Sequence, residues 1–129
     1  LLDFQDAVIG PISYDLVSLF EDARRDVPLD MAKALMQRYF QAFPALPPDA
    51  LALSYAVMGA QRATKIIGIF TRLDRRDSKP GYLRHIPRTW RWLDGGLSHP
   101  MLRDLKSWYD LHFPPDLRFA PDSQPGTLK

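Results

Sequence analysis

The sequence predicts a mainly α-helical chain of about five helices, with the remnant of a strand at its N-terminus. Apolar residues recur at the i, i+3, i+4 and i+7 spacing of amphipathic helices over most of the chain. Prolines stand where these stripes begin or stop, because proline fits a first helical turn and cannot continue a helix. The apolar pair Leu1-Leu2 in front of Asp3 indicates the end of a buried strand.

The first predicted helix follows the opening Pro turn and ends before Pro28. Ser13 is available as its N-cap, and the helix dipole favours an acid such as Asp15 in the first turn. The apolar stripe of this helix consists of Leu16, Leu19, Phe20 and Ala23.

The second predicted helix starts near Asp30 and stops at Pro44, and its buried residues should be Leu35, Tyr39 and Phe43. The third is the longest, from about Pro48 to about Leu73. It contains Gly59 and Gly68, each of which costs about 1 kcal/mol relative to alanine. We therefore expect something to approach the backbone there, with a neighbouring helix favoured over a ligand.

The fourth and fifth predicted helices follow a turn-rich loop. Pro87 can start the fourth, with Trp90, Leu93 and Leu97 facing inward. Ser98 is predicted to cap the fifth, in which Met101, Leu105, Trp108 and His112 share one side. We expect one helical unit over residues 1–113 and a Pro-rich tail over 114–129, either a surface strap or disordered.

The composition limits the classes of protein to consider. With 129 residues and 46% hydrophobic content, the chain can bury one core. It has no cysteine, which excludes disulfides and thiolate metal sites and is compatible with the cytoplasmic location that we expect. No apolar run approaches the length of a membrane span, so we expect no membrane partner.

Charge is distributed unevenly, although the net charge is only +2. Residues 1–30 hold seven acids against two arginines, whereas residues 62–91 hold nine Lys and Arg against two aspartates. Acids for a metal and bases for an anionic substrate would suit one cleft. A helical module that binds nucleic acid through the basic span is a minor alternative, because no nucleic-acid motif accompanies the charge.

Two blocks of sequence carry a resemblance to a known family. Residues 1–24, LLDFQDAVIGPISYDLVSLFEDAR, resemble the metal-binding segment and following helix of the aminoglycoside phosphotransferase-like kinases, a branch of the protein-kinase-like fold. Residues 61–87, QRATKIIGIFTRLDRRDSKPGYLRHIP, resemble the bacterial kinases that phosphorylate N-acetylmuramate and N-acetylglucosamine in cell-wall recycling. The resemblance implies the helical C-terminal part of the large lobe of such an enzyme.

The resemblance also implies roles for two acids. Asp3 matches the aspartate of the D-F-G motif, which holds Mg²⁺ against the ATP phosphates, although Gln5 replaces the glycine. Asp15 matches the acid that supports the catalytic loop, although from sequence alone it could be an ordinary first-turn acid. Asp6 is either a further anchor for the site or, as we favour, a turn acceptor.

The substrate of such an enzyme would be a small hydroxylated molecule together with ATP. Arg62, Lys65 and Arg72 follow helical spacing along one face, and we expect them to contact polar groups of an amino sugar. A solvated face with surface ion pairs is an equally weighted alternative. A kinase for an aminoglycoside or a choline-like compound is the second possibility, although cationic substrates would favour an acidic pocket.

The catalytic loop, its base and the nucleotide-covering loop of the kinase-like fold are not found in these residues. We therefore expect no catalytic base in this chain, a missing N-terminal lobe in the same protein, and no phosphotransfer by this segment alone.

Overall fold

The computed structural model describes residues 9–118, which form five α-helices and three short 3-10 helices and contain no strand. The α-helices are α1 (Ser13–Phe20), α2 (Leu29–Ala42), α3 (Pro48–Asp77), α4 (Ile86–Leu97) and α5 (Arg103–His112). The 3-10 helices are Pro80–His85, Pro100–Leu102 and Pro115–Leu117. The predicted mainly α fold of about five helices is confirmed, and the strand expected at Leu1-Leu2 lies outside the described residues.

Helix α3 is the framework of the fold, because α1, α4 and the 3-10 helix Pro80–His85 all pack along it. Pro48 starts it in the first turn, as predicted, and its 30 residues end at Asp77, followed by Ser78 in the left-handed conformation at φ 52°. None of the helices in residues 9–118 is long and apolar enough to cross a membrane.

The main hydrophobic core lies between α3 and α4. The residues predicted to face inward on α4 do so, and Leu93 and Leu97 are completely buried. This core also takes in Trp90 and, from α5, Tyr109. Full burial of one such leucine contributes about 1.5–3 kcal/mol, so the α3–α4 contact provides much of the stability of this unit.

A second, smaller core joins α1, α2 and the first turn of α3. Its buried residues are Leu16, Phe20 and Leu51. The face predicted for α2 was wrong, because Leu35 and Phe43 are exposed and only Tyr39 is partly buried. The helix instead packs through Ala32, Met36, Tyr39 and Phe40. Its apolar residues form two overlapping stripes, and no residue of α2 is fully buried.

The predicted serine caps were also wrong. Ser13 is inside α1 rather than before it, and its hydroxyl points to α3. Ser98 donates to the carbonyl of Gly95 at the end of α4. The cap of the following turn is His99, whose Nδ1 accepts from the backbone N–H of Met101 at 3.2 Å. A serine that follows one helix as closely as it precedes another can serve either, and sequence does not decide which.

Of the residues predicted to share one side of the fifth helix, Met101 lies instead in the 3-10 helix Pro100–Leu102, and all four, Met101, Leu105, Trp108 and His112, are exposed. Tyr109 is the buried residue of α5, and its hydroxyl pairs with Thr64 of α3 at 2.7 Å. Immediately after α5, Arg118 bonds to Asp94 at 2.8 Å and to Asp110 at 2.7 Å, and it stacks over Trp90. The first residues of the predicted tail are therefore fastened to the helical unit.

Gly96 marks the closest approach of α4 to α3. A Cβ atom at this position would lie 3.0 Å from the carbonyl oxygen of Ala56 and 3.2 Å from the amide nitrogen of Ala60. Both are backbone atoms, which cannot rotate away as a side chain can. The neighbouring Gly95 has nothing within 4 Å of the same position.

We expect Gly96→Ala to lower the free energy of unfolding by about 1–3 kcal/mol, because the added methyl group must push the two helices apart. Gly95→Ala is the matched control and should raise it by about 0.5–1 kcal/mol, because alanine is the better helix former. Urea unfolding of both variants measures the difference. Equal effects from the two changes would mean that α4 does not approach α3 as closely as described.

Candidate functional site

Polar side chains line the contact between α1 and α3, in the part of the fold that directly follows the predicted metal-binding segment. We call this set the polar seam, and it consists of Ser13, Tyr14, Glu21, Ser54, Tyr55 and Arg62. Residues three and four apart share one helix face, and this spacing places the members on facing sides of α1 and α3. A polar contact between two otherwise apolar helices fixes their relative position.

Ser13 anchors one end of the polar seam. It is completely buried, and its hydroxyl lies 2.7 Å from the hydroxyl of Ser54. A buried hydroxyl without a partner costs about 1–3 kcal/mol, so the pair opposes movement of α1 away from α3 at this point. The residues that precede α1 are therefore joined to a fixed helix.

Glu21 lies just past the other end of α1 and covers Gly59. The position of a Cβ on Gly59 is 3.0 Å from Oε2 of Glu21, so a larger residue there would require the carboxyl group to move by a few tenths of an ångström. Burial raises the pKa of Glu21 to about 7, while a hydrogen bond from Tyr55 and the charge of Arg62 partly offset this effect. The close neighbour expected at Gly59 is thus present, but it is a side chain of the α1–α2 connection rather than a neighbouring helix. The expectation was wrong for Gly68, where nothing lies within 4 Å of the position of a Cβ.

Arg62 lies across the polar seam. Its guanidinium carbon is 5.7 Å from the centre of the Tyr14 ring, and its Nη1 donates to the Tyr14 hydroxyl at 3.4 Å. Its Nε is buried and makes no hydrogen bond within residues 9–118. The attraction between Arg62 and Glu21 lowers the pKa of the carboxyl group against the effect of burial. Arg62 therefore links α3 to Tyr14 on α1 and to Glu21 just after α1.

The other residues predicted for the site are placed as follows. Asp3 lies outside the described residues, as does Asp6. Asp15 is exposed in the first turn of α1, and its predicted support of a catalytic loop stays a prediction. Lys65 and Arg72 are exposed and follow Arg62 along the same face of α3, and the predicted contacts of the three residues to a substrate stay predictions.

Sequence reasoning missed Glu21 and Tyr55. A signal was available, because Gly59 stands three residues before Arg62 in a helix that has little other use for glycine, and Tyr55 stands four residues before Gly59. Small and polar residues at this spacing indicate that a polar side chain packs against this face of α3. The acid that fills the space could not be identified without the fold.

Residues 9–118 contain no group of three or more His, Asp or Glu side chains that could hold a metal ion. Trp90 is buried in the core, as its helical spacing predicted, whereas Trp108 is about half exposed, stacked near His112 at 4.6 Å between ring centres. Neither ring belongs to the polar seam.

Comparison with known proteins identifies a family match for the N-terminal part of the chain. Residues 1–51, which include the predicted metal-binding segment, α1 and α2, match the phosphotransferase enzyme family. This match covers the Asp3 segment and the α1 side of the polar seam. The predicted resemblance to aminoglycoside phosphotransferase-like enzymes is confirmed for this part of the chain.

The similarity extends further to particular enzymes. The N-acetylmuramate/N-acetylglucosamine kinase of Caulobacter vibrioides is 42% identical over 118 residues, which are 92% of this chain and 32% of that protein. Enzymes of the same name from Pseudomonas aeruginosa and Neisseria meningitidis are 42% and 46% identical, over 81% and 72% of this chain. The chain spans about a third of the length of these curated relatives.

The raised pKa of Glu21 predicts how stability depends on pH. The folded protein keeps the proton of Glu21 up to about pH 7, whereas the unfolded chain loses it near 4.5, so stability falls as pH rises through this window. At about 1.4 kcal/mol per pKa unit, the effect is roughly 3 kcal/mol. Glu21→Gln should therefore gain stability over the native sequence by up to this amount between about pH 4 and pH 8.

Urea unfolding at several pH values measures this difference. Tyr55→Phe provides the second variant, because it removes the hydrogen bond that lowers the pKa of Glu21 and should move the midpoint of the pH dependence upward. If the native and Glu21→Gln proteins lost stability in parallel across the window, the carboxyl group of Glu21 would not be buried as described.

Proposed function

We propose that the chain is the helical C-terminal part of the large lobe of an ATP-dependent sugar kinase that phosphorylates N-acetylmuramate or N-acetylglucosamine. The observation that carries this proposal is the 42% identity to such a kinase over 92% of the chain, which includes α1, α3 and α4. The phosphotransferase family match over residues 1–51 supports the same class of reaction.

Asp3 is the proposed ligand of Mg²⁺. Its carboxylate is a hard oxygen donor of the kind that Mg²⁺ takes alongside substrate phosphates and water, so the chemistry of the donor fits. The bound metal would neutralise charge on the β- and γ-phosphates of ATP. Phosphate transfer in such enzymes depends mainly on positioning and electrostatics, so a displaced Asp3 would slow it.

The polar seam suits the task of holding the Asp3 segment in place. Ser13 bonds to Ser54 at 2.7 Å, and Glu21 is lodged against Gly59, so both ends of α1 are fixed on α3. We propose that α1 transmits this position to the metal-binding residues in front of it. Asp15, exposed near the start of α1, is available to accept hydrogen bonds from a catalytic loop.

The basic face of α3 is the proposed wall for the sugar. Arg62, Lys65 and Arg72 lie along one side of the helix, and the last two are exposed. N-acetylmuramate carries a lactyl carboxylate, for which a guanidinium or ammonium group is a suitable partner. A cationic aminoglycoside would instead be repelled by this face, which favours the amino sugar among the substrates considered.

Neither the sequence motifs nor the described fold identifies a residue of this chain as the catalytic base. We propose that it belongs to a preceding part of the same enzyme, where an aspartate would orient the sugar hydroxyl and accept its proton. A preparation of residues 1–129 alone should consequently transfer no phosphate.

Asp3→Asn in the full-length enzyme should lower kcat/KM at least about 100-fold, because the metal loses a charged ligand. The melting temperature should be unchanged, which steady-state kinetics and thermal unfolding together can show. Asp6→Asn is the matched control and should cost less than about 10-fold, because we assign Asp6 to a turn. Normal activity of the Asp3→Asn enzyme would remove Asp3 from the site.

Lys65→Gln and Arg72→Gln should raise KM for N-acetylmuramate about 10-fold or more, because each removes a charge-assisted contact to the carboxylate. KM for the neutral N-acetylglucosamine should change much less. Arg103→Gln, an exposed arginine on α5, is the control for general loss of charge. Equal losses with both sugars, or none, would contradict recognition of the carboxylate by this face.

A further inference from the structure

A basic depression of about 410 Å³ lies on the surface beside the end of α3. It is lined by Arg24, Lys79, Gly81, Tyr82, Arg84 and His85, which come from the α1–α2 connection, the turn after α3 and the 3-10 helix Pro80–His85. The depression next to Leu19 and the groove next to Val57 are smaller and mostly apolar in their lining residues. We call the site lined by Arg24, Lys79 and Arg84 the basic depression.

Within residues 9–118 no carboxylate forms an ion pair with the cations of the basic depression, although the charge of Lys79 helps to lower the pKa of the nearby Asp77, which itself pairs with Arg76. The acids that flank Arg24 in the chain are already engaged, because Asp22 pairs with Arg25 at 3.4 Å and Asp26 pairs with Arg88 at 2.6 Å. No ion pair within residues 9–118 involves Arg24, Lys79 or Arg84. Like charges gathered from three segments are unfavourable unless an anion joins them.

The backbone that carries these side chains is held in place. The N–H of Arg24 donates to Asp22 at 2.7 Å, and Arg88 donates to the carbonyl of Ala23 at 3.4 Å, which ties this connection to α4. Before Lys79, Ser78 adopts the left-handed conformation, and the N–H of Lys79 bonds to the carbonyl of Leu73 at 3.0 Å. The cations are thus presented by fixed segments rather than by a free loop.

His85 reports the same local charge. Burial lowers its pKa, and the charges of Arg84, Arg88 and Arg24 lower it further, while Asp22 acts weakly in the opposite direction. Its Nε2 accepts a hydrogen bond from Nε of Arg84 at 3.3 Å, and its ring packs 5.8 Å from that of Phe70 on α3. A neutral imidazole between arginines would take up a proton if an anion entered the basic depression.

We propose that the basic depression is a binding site for the phosphate group of a small phosphorylated molecule. Arg24 and Arg84 supply guanidinium forks, Lys79 supplies an ammonium group, and the volume leaves room for a sugar-sized group attached to the phosphate. A doubly charged phosphate matches three cations better than a single carboxylate does. This site is separate from the polar seam, and it does not rest on the proposed kinase activity.

NMR titration of the histidine side chains in the full-length protein tests the proposal, with inorganic phosphate and glucose 6-phosphate as probes at constant ionic strength. Both should bind saturably and raise the pKa of His85, leaving His99 and His112 as internal references. Glucose 6-phosphate should bind more tightly than phosphate if the space beside the cations is used. Glucose alone should leave His85 unchanged.

Arg24→Gln and Arg84→Gln should each weaken phosphate binding about 10-fold, since each removes a charge-assisted contact. Arg25→Gln is the matched control, because this neighbouring arginine pairs with Asp22 and does not line the basic depression. Absence of saturable binding, or an equal loss in all three variants, would overturn the proposal. A negative result in the kinase assays would not affect this test, because the test measures phosphate binding through the pKa of His85 and not phosphate transfer.

Discussion

The structure depends on how closely other segments can approach the long helix α3. Ala56, Ala60 and Ala63 are buried along it, and small side chains there let the backbone of α4 come near at Gly96. On another face, Gly59 admits the carboxyl group of Glu21. Packing in such contacts is tight on both sides, so a single added methyl group is felt. The proposed sugar wall lies on this helix, and α1, which follows the proposed metal-binding segment in the chain, packs against it.

Sequence reasoning located the helices well and their buried faces less well. The start of α3 and the inward face of α4 followed from the position of Pro48 and from one clear stripe that includes Leu93, whereas α3 continues past the predicted end near Leu73 to Asp77. In α2 the apolar residues form two overlapping stripes, so the wrong one was chosen, and Leu35 is exposed. The predicted N-caps were wrong for a related reason, because the hydroxyl groups of Ser13 and Ser98 each have more than one possible partner nearby.

The candidate site was only partly visible in the sequence. The motif around Asp3 and the basic spacing from Arg62 to Arg72 could be recognised because they are local patterns. The contact of Glu21 with Gly59 joins residues 38 positions apart, and the basic depression brings Arg24 beside Arg84. Such juxtapositions follow from packing of helices and are not encoded at any fixed spacing along the chain.

The weak burial of α2 has a consequence for how this unit opens. Its packing relies on partly buried side chains such as Met36 and Phe40, whereas α3 and α4 share the completely buried Leu93. Local stability follows the apolar contact that an element would lose on opening. Backbone amides of α2 should accordingly exchange with deuterated solvent through partial unfolding, while those at the middle of α3 exchange only when the whole unit opens.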